Sequence, residues 1–264
     1  MTTLPSLHDL PGRYGVRQVV RAEFSKLRTL RSTTWTLLAT AVGSLLVTFL
    51  ATNSVQHHGG RLRGFDPTNQ SLTGLALGSL AIGVLGVLSI TGEYGSGTIH
   101  STLAGTPRRP LLLAAKALVV GAVALIVGEV ITFACFLVGQ GIMSGRAPTA
   151  TLGQPGVLRA VALTGAFLAL LGLMGLGLGV IIRHTAGAIA AFVGITFLLP
   201  VLLQPLSADG NPARFAPEEI LSSSVAAVVP QGGQLNSTIG ILLMALYTAV
   251  VLGIGLVLLI GRDA

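Results

Sequence analysis

The chain has 264 residues, of which 52% are hydrophobic and only 9% are charged, and its formal net charge is +7. This small number of charged residues cannot cover the surface of a water-soluble globule of this size. The composition therefore excludes an ordinary soluble domain. In a membrane protein, a basic excess commonly reflects topology. We therefore expect the basic residues to interact with a lipid bilayer and not with a nucleic acid.

The first 33 residues are polar and basic, and they precede a predicted six-helix membrane domain at 34–261. They contain no short apolar core followed by a cleavage site, which favours an uncleaved first membrane helix. From residue 15 to 30, apolar side chains recur at helical spacing, with Arg17, Arg21 and Arg28 on another face. The apolar residues are Val16, Val19, Val20, Phe24, Leu27 and Leu30. This pattern predicts an amphipathic helix along the inner headgroup layer.

Glu23 interrupts this helix, because it falls within the apolar arc. One interpretation is a surface pair with Lys26, three residues further on, which would contribute only about 0.2–0.5 kcal/mol. The alternative is a contact with a protein partner or with another cytoplasmic loop.

Six apolar runs follow, and a bilayer core takes about 20 apolar residues per helix. The predicted spans are 34–51, 71–91, 113–139, 157–182, 185–203 and 238–260. The fold class is therefore an all-α membrane protein with six transmembrane helices. The GxxxG pairs at 74/78 and 175/179 are expected to serve ordinary packing within the bundle, and Pro200 is expected to kink the fifth span.

An even number of spans places both termini on one side of the membrane. Eleven of the sixteen Lys and Arg residues fall on that side. The positive-inside bias therefore predicts that both termini are cytoplasmic.

The loop predicted at 92–110 carries two glycines, Gly95 and Gly97, that allow a sharp turn, and Ser96 or Thr98 could cap a short helix. Ile99 and Leu103 would share one face of that helix, which Gly105 and Pro107 would end. The helix either buries this apolar face against a partner or is a simple connector.

Glu129 is the ionisable residue deep within the third span, and Thr132 lies one turn further on. An intramembrane acid is a candidate functional residue by default. With no Lys or Arg at matching depth, the carboxyl is expected to be neutral or to face a wet cavity, and Thr132 could share a hydrogen bond with it. A substrate-pathway role and a packing role are equally compatible with the sequence.

The outer loop predicted at 204–237 contains Pro217, which is placed to start a short helix that Pro230 would end. We expect this loop to lie in or against the outer leaflet and to cap the pathway.

Several of these segments together resemble the permease subunits of bacterial type-2 ABC transporters, mostly exporters. The resemblance is carried by residues 23–29 (EFSKLRT), 92–94 (GEY), 97–99 (GTI), 106–109 (TPRR), Lys116 and 229–233 (VPQGG). It implies that the amphipathic helix is the elbow before the first span, with Glu23, Phe24, Lys26, Leu27 and Arg28. It also implies that the second loop is the coupling helix held by a separate ATPase. The implied coupling residues are Glu93, Tyr94, Gly97, Thr98, Ile99, Thr102, Leu103, Pro107, Arg108 and Arg109.

The same resemblance implies two permease copies, identical or paralogous, in a bacterial plasma membrane, with ATP and Mg²⁺ bound by the partner ATPase. The chain itself has no G-x-x-x-x-G-K-[ST] phosphate loop, no H-E-x-x-H and no G-x-S-x-G. The adjacent His57 and His58 lack metal ligands at suitable spacing. We therefore expect no catalytic or metal site and a role as an exporter permease subunit; the alternative is an ATP-independent scaffold or channel-like protein. Drug, lipid, peptide and polysaccharide substrates all fit the sequence.

Overall fold

A computed structural model describes residues 15–29, 31–58, 65–105, 108–203, 212–225 and 235–261. This part of the chain is helical, and six of its helical segments are long and apolar enough to cross a membrane, which confirms the predicted fold class. The helices are α1 (Val16–Thr29), α2 (Arg31–His58), α3 (Pro67–Leu72), α4 (Leu75–Gly95), α5 (Thr98–Gly105), α6 (Arg109–Met143), α7 (Val157–Ile182), α8 (Thr185–Val193), α9 (Leu199–Leu203), α10 (Pro217–Val225) and α11 (Ser237–Gly261).

The second span begins and ends four residues later than predicted. Asp66 caps the short helix α3 by accepting hydrogen bonds from the N–H groups of Thr68 and Asn69, and Pro67 occupies the first turn. The chain then turns before α4, so the predicted start of the span at residue 71 was wrong. Because α4 runs on to Gly95, Glu93 and Tyr94 lie in its last turn and not in a loop. Similarly, α6 begins four residues earlier than predicted, with Pro110 in its first turn.

The fourth span, α7, lies at the centre of the bundle and packs against α4, α6 and α11. Its contact with α4 is made through glycines on both helices. A Cβ atom on Gly175 would collide with the carbonyl oxygen of Gly83, and one on Gly86 would collide with the carbonyl oxygen of Gly172. The glycine-rich pattern therefore serves packing within one subunit, as predicted, by bringing two helix backbones into direct contact.

The fifth span is not one continuous α-helix, and its interruption lies just before Pro200. Between α8 and α9, residues Gly194–Leu198 form a π-helical turn in which the Leu199 N–H bonds to the Gly194 carbonyl five residues back. Pro200 has no N–H to donate, so a regular α-helical ladder cannot continue through it.

At the end of the bundle away from α1 and α5, the segment between the fifth and sixth spans packs against the helices. A 3₁₀ turn (Pro212–Phe215) leads into α10, which begins at Pro217 as predicted. Tyr247 donates its hydroxyl hydrogen to the Phe215 carbonyl at 3.2 Å, and Ser237 donates to the Ser223 carbonyl at 3.2 Å. Since Tyr247 lies ten residues into α11, the segment reaches roughly 15 Å along that helix. The predicted helix end at Pro230 lies outside the described residues.

Replacing Gly175 with Ala tests the glycine contact. The added methyl group must separate α7 from the α4 backbone, and we expect a loss of about 1–3 kcal/mol in the free energy of unfolding. Gly253→Ala on α11 is the matched control, because no atom lies within 4 Å of its added Cβ. Thermal unfolding of the purified protein in detergent measures both. Equal melting temperatures for the two variants would contradict the packing account.

Candidate functional site

Helix α1 lies against the start of α6 through one narrow face. Val19, Glu23 and Leu27 follow one another at every fourth position and are buried, with Val19 packed beside Leu112 and Ala115 of α6. The predicted placement of this whole apolar arc against lipid was therefore wrong, because the arc is divided: Val19 and Leu27 face protein, whereas Val16 and Phe24 remain exposed. The arginines of α1, including Arg28, are exposed, as the amphipathic pattern predicts.

Glu23 belongs to a cluster of four charges, which we call the charged quartet: Glu23 and Lys26 of α1, Glu93 of α4 and Lys116 of α6. Lys116 Nζ lies 2.5 Å from Glu23 Oε2 and 2.9 Å from Glu93 Oε1. Lys26 Nζ lies 2.8 Å from Glu23 Oε1 and 3.0 Å from the same Glu93 oxygen. Each lysine thus contacts both acids, and the quartet has no net charge.

The quartet is also bonded to the backbone and to α5. Lys116 Nζ donates to the Ser89 carbonyl at 3.1 Å, and Lys26 Nζ donates to Thr102 Oγ1 at 3.2 Å. Four elements, α1, α4, α5 and α6, therefore meet at these side chains. Both interpretations of Glu23 from sequence are partly correct, because it pairs with Lys26 and also contacts another segment, although that segment is the start of a span.

The ionisation states of Glu23 and Lys26 follow from this arrangement. Burial by itself would raise the pKa of Glu23, but the charges and hydrogen bonds of Lys116 and Lys26 outweigh it, so the pKa is lowered. Burial by itself would lower the pKa of Lys26, but its bonds to Glu23 and Glu93 outweigh it, so the pKa is raised. Both groups are therefore held in their charged forms.

Helix α5 forms where the sequence predicts it, after a turn in which Gly97 adopts a φ of +71°. Its apolar face, however, is turned inward: Ile99 is only 2% exposed and packs with Leu27, Ile90 and Leu113. The expectation that Ile99 is free to dock a partner was wrong, because the bundle itself covers it, and Leu103 is partly covered by the same cluster. The exposed face of α5 instead presents His100, Ser101 and Ala104, with Thr98 exposed at its start.

Arg109, a predicted coupling residue, and Arg183, which was not predicted, both bind the end of α11. Arg109 Nη1 donates to the Leu259 carbonyl at 2.6 Å, and Arg183 Nη2 donates to the Leu258 carbonyl at 3.4 Å. The Arg183 guanidinium also lies 5.4 Å from the centre of the Tyr94 ring. These arginines satisfy carbonyls that a helix C-terminus leaves free. Arg108 is exposed, and Pro107 lies outside the described residues.

Sequence reasoning did not select Lys116 and Arg183 as site residues. Each had a detectable signal: Lys116 is a charge placed just inside a long apolar run, and Arg183 is a lone cation between two spans. Arg183 also adopts a left-handed conformation, with φ +59°, at the end of α7.

Glu129 lies in α6, thirteen residues after Lys116, with its carboxyl group against Gly165 of α7. Its Oε2 atom is buried without a hydrogen-bond partner in the described part of the chain, and so is Thr132 Oγ1. The two side chains do not form the hydrogen bond that the sequence suggested. The arrangement leaves an acid within the bundle with one buried carboxylate oxygen that forms no hydrogen bond to the described residues.

Removing Lys116 tests the quartet. In Lys116→Met, Glu23 and Glu93 lose a shared cation in a buried site, and we expect a loss of about 3–5 kcal/mol in unfolding free energy. The double variant Glu23→Gln/Lys116→Met removes one buried acid as well and should recover part of that loss. A double-mutant cycle with strictly additive effects would contradict direct coupling of the two groups.

The stability that Glu23 and Lys26 contribute depends on pH in a defined way. Because the pKa of Glu23 is lowered from 4.5, its contribution is fully present above pH 4.5 and is lost as the pH falls through the lowered value. Because the pKa of Lys26 is raised from 10.5, its contribution is fully present below pH 10.5 and is lost only as the pH rises through the raised value. The difference in stability between wild type and Glu23→Gln should therefore stay constant from about pH 5.5 to about pH 9.5.

Comparison with known proteins gives one finding on the family. A search of curated proteins finds no match to this chain. The family model described as ABC-2 family transporter protein matches residues 19–204, from α1 to the end of the fifth span, and so covers the quartet, α5 and five of the six spans. The chain therefore belongs to the ABC-2 family transporter proteins, as a multi-pass permease subunit of an ABC transporter.

Proposed function

We propose that the chain is the permease of an ATP-driven exporter whose ATPase, a separate protein, binds ATP and Mg²⁺ and docks beside α5. The observation that carries this proposal is the charged quartet, which ties α5 through Thr102 to α1 and to the start of α6. Membership of the family implies an ABC ATPase partner. The excess of Lys and Arg at this end supports a cytoplasmic location, with both termini on that side of a bacterial plasma membrane.

In this proposal, the ATPase contacts the exposed face of α5. Ile99 and Leu103 hold α5 to the bundle, and His100, Ser101 and Ala104 remain available to a partner. Closure of the ATPases would displace α5, and the Lys26–Thr102 bond and the quartet would transmit the displacement to α1 and α6. Two such bundles, identical or paralogous, would shift between inward-open and outward-open states because nucleotide binds one state better.

The double variant His100→Glu/Ala104→Glu tests the docking face. We expect it to abolish co-purification of an ATPase and the associated ATP hydrolysis, since it places two acids on the exposed face of α5 without touching the apolar contacts beneath it. Tagged protein is purified from native membranes, and the bound proteins are identified by mass spectrometry.

Thr151→Glu/Gln154→Glu, two exposed positions on the α6–α7 connection, is the matched control and should retain the ATPase. If wild-type protein retained no nucleotide-binding partner, an ATP-independent scaffold or channel would replace the proposed function. If the α5 variant kept its ATPase, docking on this face would be wrong.

We also infer that Glu129 and Thr132 face the substrate pathway. The support is their unpartnered buried oxygens, which a substrate or the second permease copy could satisfy. This role stays a proposal beside the simpler one of helix packing.

Substitution of Glu129 separates the two roles. Glu129→Gln retains the shape of the side chain and should fold normally, whereas Glu129→Leu should impair either transport or stability. The measurements are thermal stability of the complex and substrate-stimulated ATP hydrolysis. Lost stimulation at unchanged stability supports the pathway role, lost stability supports packing, and no change in either would remove Glu129 as a candidate.

A further inference from the structure

The quartet forms one wall of a cavity of about 610 Å³ between α1, α4, α5 and α6. This volume is within the range of about 300–1,000 Å³ that small-molecule sites occupy. The cavity is divided by polarity. Spanning helices and α1 supply an apolar wall, and the turn before α5 and the helix itself supply hydroxyl groups. The apolar wall consists of Leu27, Leu88, Val119 and Val120.

This division matches the position of the cavity along the bundle. The apolar wall belongs to the parts of α4 and α6 that lie inside the membrane, whereas Ser96, Thr98 and Ser101 lie at the polar end, beside the amphipathic α1. A ligand that fills the cavity must therefore pair an apolar body with a polar head, as a membrane lipid or a fatty acid does.

The charged group that is most accessible from the cavity is positive. Glu23 and Lys116 are each 4% exposed and Glu93 is 12% exposed, whereas Lys26 is 40% exposed. Lys26 is thus the most exposed side chain of the quartet, and its ammonium group is the charge that a ligand can reach. An anionic head is the complement of this group.

We propose that the cavity binds an anionic amphiphile, with one acyl chain against Leu88 and Val120 and a phosphate or carboxylate head at Lys26. The three N–H donors of Lys26 are shared among Glu23, Glu93 and Thr102, and only Thr102 is a neutral acceptor. The head takes the place of the Thr102 hydroxyl, because an anionic oxygen is the stronger acceptor. Occupancy thereby loosens the bond between the quartet and α5. This inference concerns binding by the permease alone and does not depend on the proposed ATPase partner.

The test measures lipid binding to the purified permease by native mass spectrometry, with phosphatidylglycerol, phosphatidylcholine and oleate as probes. Wild-type protein should retain phosphatidylglycerol in preference to phosphatidylcholine, by roughly tenfold in affinity. Leu88→Trp fills the apolar part of the cavity, replaces no residue of the quartet and should abolish this binding. Leu118→Trp is the matched control, since Leu118 lies at the same depth but is 60% exposed on the outer face of α6, and it should bind as wild type does.

Recognition of the anionic head group by Lys26 is tested separately. Lys26→Gln leaves both Lys116 ion pairs in place and should bind the two phospholipids equally, whereas Lys26→Arg should keep the preference.

Oleate that competes with phosphatidylglycerol shows that the site accepts any anionic amphiphile, and oleate binding without phosphatidylglycerol binding assigns the site to free fatty acids. Unchanged binding in Leu88→Trp would overturn the cavity assignment, and an unchanged preference in Lys26→Gln would overturn the role of Lys26. Competition by glycerol phosphate in the absence of any phospholipid or oleate binding would reduce the site to an anion contact and overturn the proposal.

Discussion

Two acids and two lysines at one end of the bundle hold three helices, α1, α4 and α6, in a single arrangement. Taking charges out of water is costly, and that cost is offset only when each charge keeps its partners in good geometry. Here each lysine bonds to both acids, and Lys116 also bonds to a backbone carbonyl. If α1, α4 or α6 moved independently, a charge would be left unpaired in a largely apolar setting. The quartet therefore requires α1 and the ends of two spans to move together.

The connection to α5 is weaker and of a different kind. It consists of one bond to a hydroxyl group at 3.2 Å and the packing of Ile99 and Leu103. A hydrogen bond to a neutral group contributes less than a paired charge, so this contact can be exchanged while the quartet remains intact. The same end thus combines a strongly bonded unit of α1, α4 and α6 with a helix that is bound to it more weakly.

The spans could be predicted from sequence because hydropathy and length determine them directly. The amphipathic α1, the short α5 and the start of α10 at Pro217 also follow from local patterns, since spacing, glycine and proline act on the residues beside them. The orientation of a helical face is a different problem. Ile99 and Val19 are apolar residues on amphipathic helices, and the pattern alone cannot distinguish burial against lipid, a partner or the chain's own bundle.

Glu23 shows where local reasoning ends and what the missing information was. An acid within an apolar arc signals an unusual contact, but Lys116, which binds it, and Glu93, which shares both lysines with it, are 93 and 70 residues away in the chain. Those partners come together because glycines on α4 and α7 allow the two backbones to touch, which fixes the end of α4 beside the start of α6. Packing deep in the bundle thus determines which charges meet at its surface, and the charges in turn determine where α1 and α5 lie.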